Sequence, residues 1–328
     1  MEYKATIIVP VFKVRKYIER CARSVLEQTL DNIEYIFVDD CGEDGSIPLL
    51  QQTIEQYPDR KEHVRIIRHE ENKGLPSGRN TGIANAHGEY VYHCDSDDWI
   101  ERDMLQTMYD EARRTQADMV YCDFYLTFAK NERYMPSPDF TDAGEMLRCM
   151  LRGNMKYNVW NKLIRRDLYE RSGVRFPADH PKGGEDTTIL MLSACANRVS
   201  HIKRAFYHYD KTGEGAITKT RSERHFNDIK ANTQRTIDFI ASQKGEAFDM
   251  DLAYFKLAIK FPFLISDEPQ LFALWTEWFP EANKYIKENP YEPWRNKMLQ
   301  RAAARGWFWI PKWYYRLVFR FIYGVIYK

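Results

Sequence analysis

The chain of 328 residues has 44% hydrophobic and 29% charged side chains and a formal net charge of +1 at pH 7. This composition excludes a disordered or fibrous protein and predicts one large domain with an extension, or two domains. The six cysteines are scattered without a CxxC pair, which argues against a zinc knuckle or disulfide framework and is typical of a reducing cytosol. We expect no signal peptide before the first apolar run, and no uncharged run reaches the roughly 18 residues that span a bilayer.

The first 125 residues or so alternate strand and helix patterns. Runs rich in β-branched and apolar residues predict strands at 6–11, 33–38, 64–68, 89–94 and 119–124. Helical spacing between them predicts helices at 17–30, 47–57, 78–87 and 102–115. Such alternation predicts βαβ units, and therefore an α/β fold with a mostly parallel central sheet. The pattern is mixed from 141 to 215, and only helices are predicted from about 220 onward.

Acidic and glycine-containing stretches follow directly after the predicted strands. They are Pro10–Phe12, Asp39–Ser46 and Asp95–Asp98. Ligands of an open parallel sheet bind just outside the carboxyl ends of its strands. We therefore expect these three stretches to converge on one rim of the sheet, although they lie far apart in the sequence.

The motif Asp95-Ser96-Asp97-Asp98 places three carboxylates within four residues at a strand end. Ionised carboxylates this close repel one another unless a cation compensates their charge. Mg²⁺ or Mn²⁺ with oxygen ligands is the natural partner, and such ions complete their shell with substrate phosphates and water. The alternative is a solvated acidic turn in which Asp97 or Asp98 caps the following helix.

Two further strand-end stretches predict contacts to a nucleotide. The carboxylate of Asp39 can accept a hydrogen bond from N3–H of uracil, a donor that cytosine lacks, although Asp40–Ser46 can also be a simple turn. Asn72-Lys73-Gly74 precedes Arg79, whose guanidinium can pair with a phosphate or a carboxylate. Neither a Walker A loop nor a GxGxxG motif is present, which argues against a nicotinamide dehydrogenase.

Gly183-Gly184-Glu185-Asp186 is expected in a loop before an apolar stretch. A carboxylate in this loop can deprotonate an acceptor hydroxyl as a general base. A metal that neutralises a leaving diphosphate makes a protein acid unnecessary, so one base and one metal site suffice. The alternative for this motif is a helix N-cap.

Together these motifs resemble the GT-A-fold family 2 glycosyltransferases over roughly residues 4–215. The matching stretches, in order, are Ile8–Phe12, Phe37–Asp40, Asn72–Gly74 with Arg79–Gly82, Asp95–Asp98 and Gly184–Asp186. Each is weak alone, but all five in this order are specific. Trp160-Asn161-Lys162-Leu163 also looks like bacterial members that build surface polysaccharides.

The resemblance implies inverting transfer from a nucleotide-diphosphate sugar, with a UDP-sugar favoured by Asp39, to a hydroxyl of a glycan or lipid-linked acceptor. It also implies a divalent Mn²⁺ or Mg²⁺. By similarity, the donor-binding residues are Pro10, Phe12, Asp39, Arg79, Asp95, Ser96 and Asp97. Asp97 and Asp98 are the implied metal ligands, Asp186 the general base and Glu185 its neighbour at the acceptor or donor sugar. His201, His208 and Lys211 lie where some relatives place a late metal or phosphate contact.

The implied catalytic domain covers residues 1–218, with a donor half at about 1–125 and an acceptor half at about 126–218. A helical region follows at 219–328. The two runners-up are a sugar-nucleotide pyrophosphorylase and a non-catalytic nucleotide- or glycan-binding protein at the membrane surface. The first would need a glycine-rich loop after the first strand, but Pro10–Tyr17 lacks glycine.

Basic residues are concentrated at the C-terminus, where 290–328 contains eight Lys/Arg and one Glu. Because the rest of the chain is acidic, we do not expect nucleic acid as a partner. Lys312, Arg316 and Arg320 share one helical face in the aromatic tail 306–328, which predicts contact with an anionic membrane surface. The alternative is a helix packed onto the catalytic domain. We expect a cytoplasmic protein, peripheral at the inner face of the cytoplasmic membrane.

Overall fold

A computed structural model describes residues 2–180, 184–212 and 222–318, without the side chains of Glu185 and Asp186. The chain divides into two compact units, of which the first comprises Met1–Met146 and Tyr157–Thr236 and the second Leu147–Lys156 and Ile237–Lys328. The predicted boundary at residue 218 lies outside the described residues. Within the described ranges, no helix is both long and apolar enough to cross a bilayer.

The first unit begins with a purely parallel half-sheet. Its elements are β1 (Ala5–Val11), α1 (Ile18–Leu26), β2 (Ile33–Asp39), α2 (Ser46–Ile54), α3 (Pro58–Lys61), β3 (Val64–Arg68), α4 (Leu75–Ala84) and β4 (Tyr90–His93). The strands pair in parallel in the order β3-β2-β1-β4. Every residue of β1, β2 and β4 is buried, as expected for parallel strands covered on both faces.

The second half of the sheet is mixed. It contains β5 (Trp99–Ile100), α5 (Met104–Thr115), β6 (Met119–Thr127), β7 (Glu132–Met135), α6 (Ala143–Leu151), β8 (Lys162–Arg165), α7 (Arg166–Ser172), α8 (Gly184–Cys195) and β9 (Val199–Asp210). The sheet continues as β4-β8-β6-β9-β5, with β7 beside β6. β6 and β9 run parallel over their length, whereas β8 is antiparallel to both of its neighbours. The predicted α/β fold with a mostly parallel sheet is confirmed.

Only helices follow in the described residues beyond 222. They are α9 (Glu223–Lys244), α10 (Asp249–Lys260), α11 (Pro269–Glu277), α12 (Trp294–Ala304) and α13 (Trp309–Tyr315), with short 3-10 turns between them. The second unit has its own core, which includes the buried Leu257, Leu264, Trp275 and Leu299. The predicted helical C-terminal region is confirmed.

Candidate active site

The carboxyl ends of β1–β4 form the rim that the sequence predicted. The backbone N–H of Asp40 donates to Val11 O at 3.0 Å, and that of His69 donates to Asp39 O at 2.9 Å. The N–H of Cys94 likewise donates to Ile8 O at 3.0 Å. Parallel pairing therefore brings the three predicted stretches to one edge of the sheet.

A pocket of about 440 Å³ opens at this rim, between the end of β1, the turn 41–45 and the start of α2. Asp39 lines it, and its carboxylate accepts the Cys41 N–H at 3.1 Å and lies 3.5 Å from Arg68 Nε. Pro10 is buried next to α4, while Phe12 is exposed, with Lys13 Nζ 5.2 Å from its ring centre. The pocket beside the Asp39 carboxylate can therefore hold a ring whose N–H group donates to that carboxylate.

Asp40 anchors the loop that leads into α4. Its two carboxylate oxygens accept the backbone N–H groups of Lys73 and Gly74, both at 2.8 Å. The same carboxylate lies 2.7 Å from His69 Nδ1, and His69 Nε2 lies 2.9 Å from Thr81 Oγ1 in α4. This anchoring role was missed in the sequence, which marked Asn72–Gly74 but offered no sign of the loop's partner.

The acidic motif contains one carboxylate that is wholly internal. Asp98 is completely buried; its Oδ2 accepts the Tyr207 hydroxyl at 2.5 Å and its Oδ1 the Asp210 N–H at 2.7 Å. Burial and the neighbouring Asp95 and Asp97 charges raise the pKa of Asp98 well above its ordinary value. The alternative that Asp97 or Asp98 caps a helix is wrong, because β5 follows the motif and α5 begins only at Met104.

Asp95 and Arg79 form an ion pair beneath the rim. Arg79 Nη2 donates to Asp95 Oδ1 at 2.6 Å, and the Arg79 side chain is completely buried. Its guanidinium carbon lies 5.7 Å from the ring centre of Phe176. Ser96, next to Asp95, is also buried. Of the two partners that the sequence allowed for Arg79, the structure pairs it with a carboxylate; its contact with a nucleotide stays a prediction.

Asp97 is the exposed member of the motif. Partial desolvation by the surrounding protein, together with the Asp95 charge, raises the pKa of Asp97 to about 6. Its carbonyl accepts Arg20 Nη2 at 2.7 Å, and the same nitrogen lies 2.6 Å from Asp210 Oδ2. Crowded negative charge on an accessible carboxylate fits a hard divalent cation. Among the described residues, however, no three His, Cys, Asp or Glu side chains are grouped to hold an ion unaided.

Aromatic residues of the second half-sheet support this motif. The Trp160 ring stacks on Tyr207 with 4.2 Å between ring centres and lies 5.5 Å from Tyr209. Tyr207 in turn accepts the Asp95 N–H at 3.3 Å, besides its bond to Asp98. Sequence reasoning missed Tyr207, Arg20 and Asp210 as site residues, because no local spacing connects them to the motif.

The predicted base lies at the start of α8. Gly184–Asp186 belong to the first turn of this helix rather than to the expected loop, because the helix begins at Gly184. The side chains of Glu185 and Asp186, like residue Gly183, lie outside the described residues. A Cβ at Gly184 would lie 2.0 Å from Pro177 Cγ and 2.7 Å from Asn232 Nδ2. Only glycine therefore fits this close approach at the helix start.

The two histidines of β9 are already held by carboxylates. The His201 side chain is buried, with Nε2 2.9 Å from Asp123 Oδ1. His208 lies between Glu132, at 2.8 Å, and Glu101, at 3.0 Å. Lys211 Nζ lies 4.2 Å from the Tyr209 ring centre. These contacts give all three residues packing partners within the second half-sheet.

An acidic motif directly after β4, at the rim of a mostly parallel sheet, is the arrangement found in GT-A-type glycosyltransferases. Residues 6–178, about half of the chain, match the family model described as Glycosyl transferase family 2, and the chain belongs to this family. The family assignment confirms the predicted glycosyltransferase and does not support a pyrophosphorylase or a non-catalytic binding protein.

The chain is similar to the uncharacterised glycosyltransferase EpsJ of Bacillus subtilis (strain 168), with 34% identity over 214 residues. The match covers 62% of this chain and 60% of EpsJ, so the chain spans about three fifths of that relative. S. aureus TarS 1–349 in complex with UDP-GlcNAc has a TM-score of 0.72 at 20% identity, covering 96% of this chain and 92% of that 1–349 fragment. A Pyrobaculum calidifontis mannosyltransferase in complex with GDP-Man and Mn²⁺ has a TM-score of 0.52 at 19% identity, covering 94% and 88%. At these identities, the two structures show the shared fold.

Proposed function

We propose that this chain transfers a sugar, with inversion, from a UDP-sugar to a hydroxyl of a glycan or lipid-linked acceptor in bacterial surface polysaccharide synthesis. The observation that carries the donor assignment is the Asp39 carboxylate in the rim pocket of about 440 Å³. Its oxygens suit the N3–H of uracil, and the exposed ring of Phe12, whose chain neighbours Val11 and Lys13 line the pocket, offers a stacking surface. The UDP-GlcNAc complex of TarS supports this choice of nucleotide.

A divalent Mn²⁺ or Mg²⁺ fits the accessible end of the acidic motif. When bound, such an ion neutralises the charge that develops on the leaving diphosphate. We assign Asp97 as its protein ligand, with Asp98 in a positioning role because both Asp98 oxygens accept internal hydrogen bonds. One or two carboxylates together with substrate phosphates are the usual set for these ions. The Mn²⁺ in the mannosyltransferase complex supports this assignment.

In the proposed reaction, Asp186 accepts the proton of the acceptor hydroxyl as that oxygen attacks the anomeric carbon. The bond from this carbon to the donor phosphate oxygen breaks, and UDP leaves from the opposite face. Arg79 holds Asp95 in place and, through it, the lining of the ribose and diphosphate site. Pro10 and Ser96 shape the donor side, and Glu185 lies beside the base. The roles of Asp186 and Glu185 rest on the family resemblance.

The chain is proposed to work in the cytoplasm, at the inner face of the membrane, with the tail 306–328 as the contact. All six cysteines are free thiols, which suits a reducing compartment. Part of the predicted tail, residues 319–328 including Arg320, lies outside the described residues. Phe308 stacks on Phe272 of α11 with 5.1 Å between ring centres, so the tail begins packed within the helical unit.

The proposal is tested by incubating the full chain with Mn²⁺ and separate UDP-, GDP- and CDP-sugars, with water as the acceptor hydroxyl, while nucleoside diphosphate release is measured. We expect release from a UDP-sugar, at least about a hundredfold slower in Asp186→Asn, because a general base contributes 10²–10⁴-fold. UDP affinity should be unchanged in that variant. Release from a GDP- or CDP-sugar alone would contradict the donor assignment. Full activity of Asp186→Asn would contradict the assigned base.

A further inference from the structure

A second pocket, of about 450 Å³, lies in the helical unit between α12 and the start of α13. Four basic residues line it: Lys287, Lys297, Arg301 and Arg305. Its apolar lining includes Trp294, Met298 and Trp307. We call these seven residues the basic-aromatic pocket. It contains none of the residues assigned above to sugar transfer.

The two faces of α12 explain why four of these side chains point outward. Leu299 and Ala303 are buried in the unit's core. Trp294, Lys297, Met298 and Arg301 recur at intervals of three and four residues and so share the opposite face. Trp294 is 77% exposed and Trp307 is 49% exposed. Large apolar side chains are unfavourable in water, so two exposed indoles in one pocket mark a contact surface.

The positive charge of the pocket is not neutralised within the part of the chain that the structure describes. None of its four basic residues forms an ion pair there. Arg305 instead lies over the Trp307 ring, with 5.3 Å between its guanidinium carbon and the ring centre. Charge complementarity therefore predicts an anionic partner for this pocket.

The aromatic residues favour a lipid headgroup over a free phosphate as the anionic partner. A free phosphate needs only the basic groups, whereas indoles prefer the headgroup layer of a bilayer, where one side is apolar and the other wet. Trp309 and Trp313 of the adjoining α13 are also exposed. Exposed tryptophans next to unneutralised Lys and Arg are the pattern of an interfacial membrane contact.

We propose that the basic-aromatic pocket docks the helical unit on a membrane that contains anionic phospholipid. Lipid phosphates lie among Lys297, Arg301 and Arg305, and the indoles of Trp294 and Trp307 enter the headgroup layer. This proposal rests on the membrane location proposed above and moves its main contact from the Lys312/Arg316 face of the tail to α12 and the turn that follows it, which includes Trp307. Arg316 of the predicted tail face is already paired with Asp267, at 3.3 Å.

The experiment is co-sedimentation of the full chain with phosphatidylcholine vesicles that contain or lack phosphatidylglycerol, without any donor sugar. The test variant is Lys297→Glu/Arg301→Glu. The matched control is Lys130→Glu/Arg133→Glu, which makes the same charge change at exposed residues of the first unit. A second variant, Trp294→Ser/Trp307→Ser, keeps the charge. Circular dichroism and UDP titration show whether each variant is folded.

We expect binding to phosphatidylglycerol vesicles only, reduced about tenfold or more in both pocket variants and unchanged in the control. The charge variant loses its attraction to the anionic surface, and the tryptophan variant loses its contact with the headgroup layer. If wild-type protein does not bind, the membrane location itself fails. If it binds and both pocket variants bind equally well, the pocket proposal alone is overturned. If only the charge variant loses binding, the proposed insertion of indoles is overturned. UDP-sugar turnover remains a separate measurement, so failure of the transfer proposal is recognised independently.

Discussion

The hydroxyl of Tyr207 donates a 2.5 Å hydrogen bond to the buried Asp98 carboxylate. Asp98 ends the acidic motif after β4, whereas Tyr207 lies on β9, in the other half of the sheet. The same hydroxyl accepts the Asp95 N–H at 3.3 Å. The conformation of the acidic motif is thus held by a strand that enters the sheet more than a hundred residues later.

Tyr207→Phe should lower the free energy of unfolding by about 1–3 kcal/mol, because a buried carboxylate loses a donor. The ring that stacks on Trp160 is kept, so the packing loss is small. Metal-dependent UDP binding should weaken as the motif relaxes. Urea denaturation and calorimetric titration measure both effects. Tyr125→Phe, a change at another stacked tyrosine of this half-sheet, is the control and should alter stability by less than about 0.5 kcal/mol. Equal effects of the two changes would contradict the proposal that the Tyr207 hydroxyl holds the acidic motif in its conformation.

Asp40→Asn should loosen the loop before α4. An amide has one acceptor oxygen, so it cannot accept both the Lys73 and Gly74 N–H groups as the carboxylate does. We expect a loss of about 1–3 kcal/mol and faster hydrogen exchange of these two amides. Asp59→Asn, at an exposed residue of α3, is the matched control. Unchanged exchange at Lys73 and Gly74 in Asp40→Asn would refute the anchoring.

Gly184→Ala should displace the start of α8, because the new methyl group would lie 2.0 Å from Pro177 Cγ. Overpacking of this kind costs about 1–3 kcal/mol. If the first turn of α8 carries the base, kcat should fall at least about tenfold while UDP affinity stays constant. Steady-state kinetics and UDP titration separate the two quantities. A variant with normal kcat would argue against a catalytic role for this helix start.

Lys260 should make the stability of the helical unit depend on pH. Its ammonium donates to Trp278 O at 2.9 Å and Asn283 Oδ1 at 2.7 Å, while burial lowers its pKa from 10.5 to about 8. Between pH 8 and 10.5 the folded state has released this proton and the unfolded state still holds it. The contribution of Lys260 to stability therefore rises with pH in that window, by at most about 1.4 kcal/mol per unit, and is constant below it.

Urea denaturation of wild type and Lys260→Met at pH 7, 8.5 and 9.5 checks this dependence. The unfolding free energy of wild type minus that of Lys260→Met should increase as the pH rises above 8. A difference that stays constant would show that the pKa of Lys260 is not lowered in the folded state.

The parallel half of the sheet was predictable from sequence because its strands are short runs in which apolar residues dominate, and polar residues follow them. β9 was not, because outward residues such as Lys203 and Arg204 interrupt its apolar pattern and its pairing with β6 is irregular between Cys122 and Phe124. The acidic motif was recognisable from spacing alone. The burial of Asp98 was not recognisable, because it depends on Tyr207 and Asp210, which lie next to Asp98 only in the folded sheet.

A metal-bridged UDP site at the rim is tested most directly by calorimetric titration of UDP with and without Mn²⁺. The full chain, Asp97→Ala and the control Asp59→Ala should be compared. We predict binding that requires Mn²⁺, is lost at least about tenfold in Asp97→Ala and is unchanged in the control. Absence of UDP binding under both conditions, or equal binding by Asp97→Ala, would contradict it.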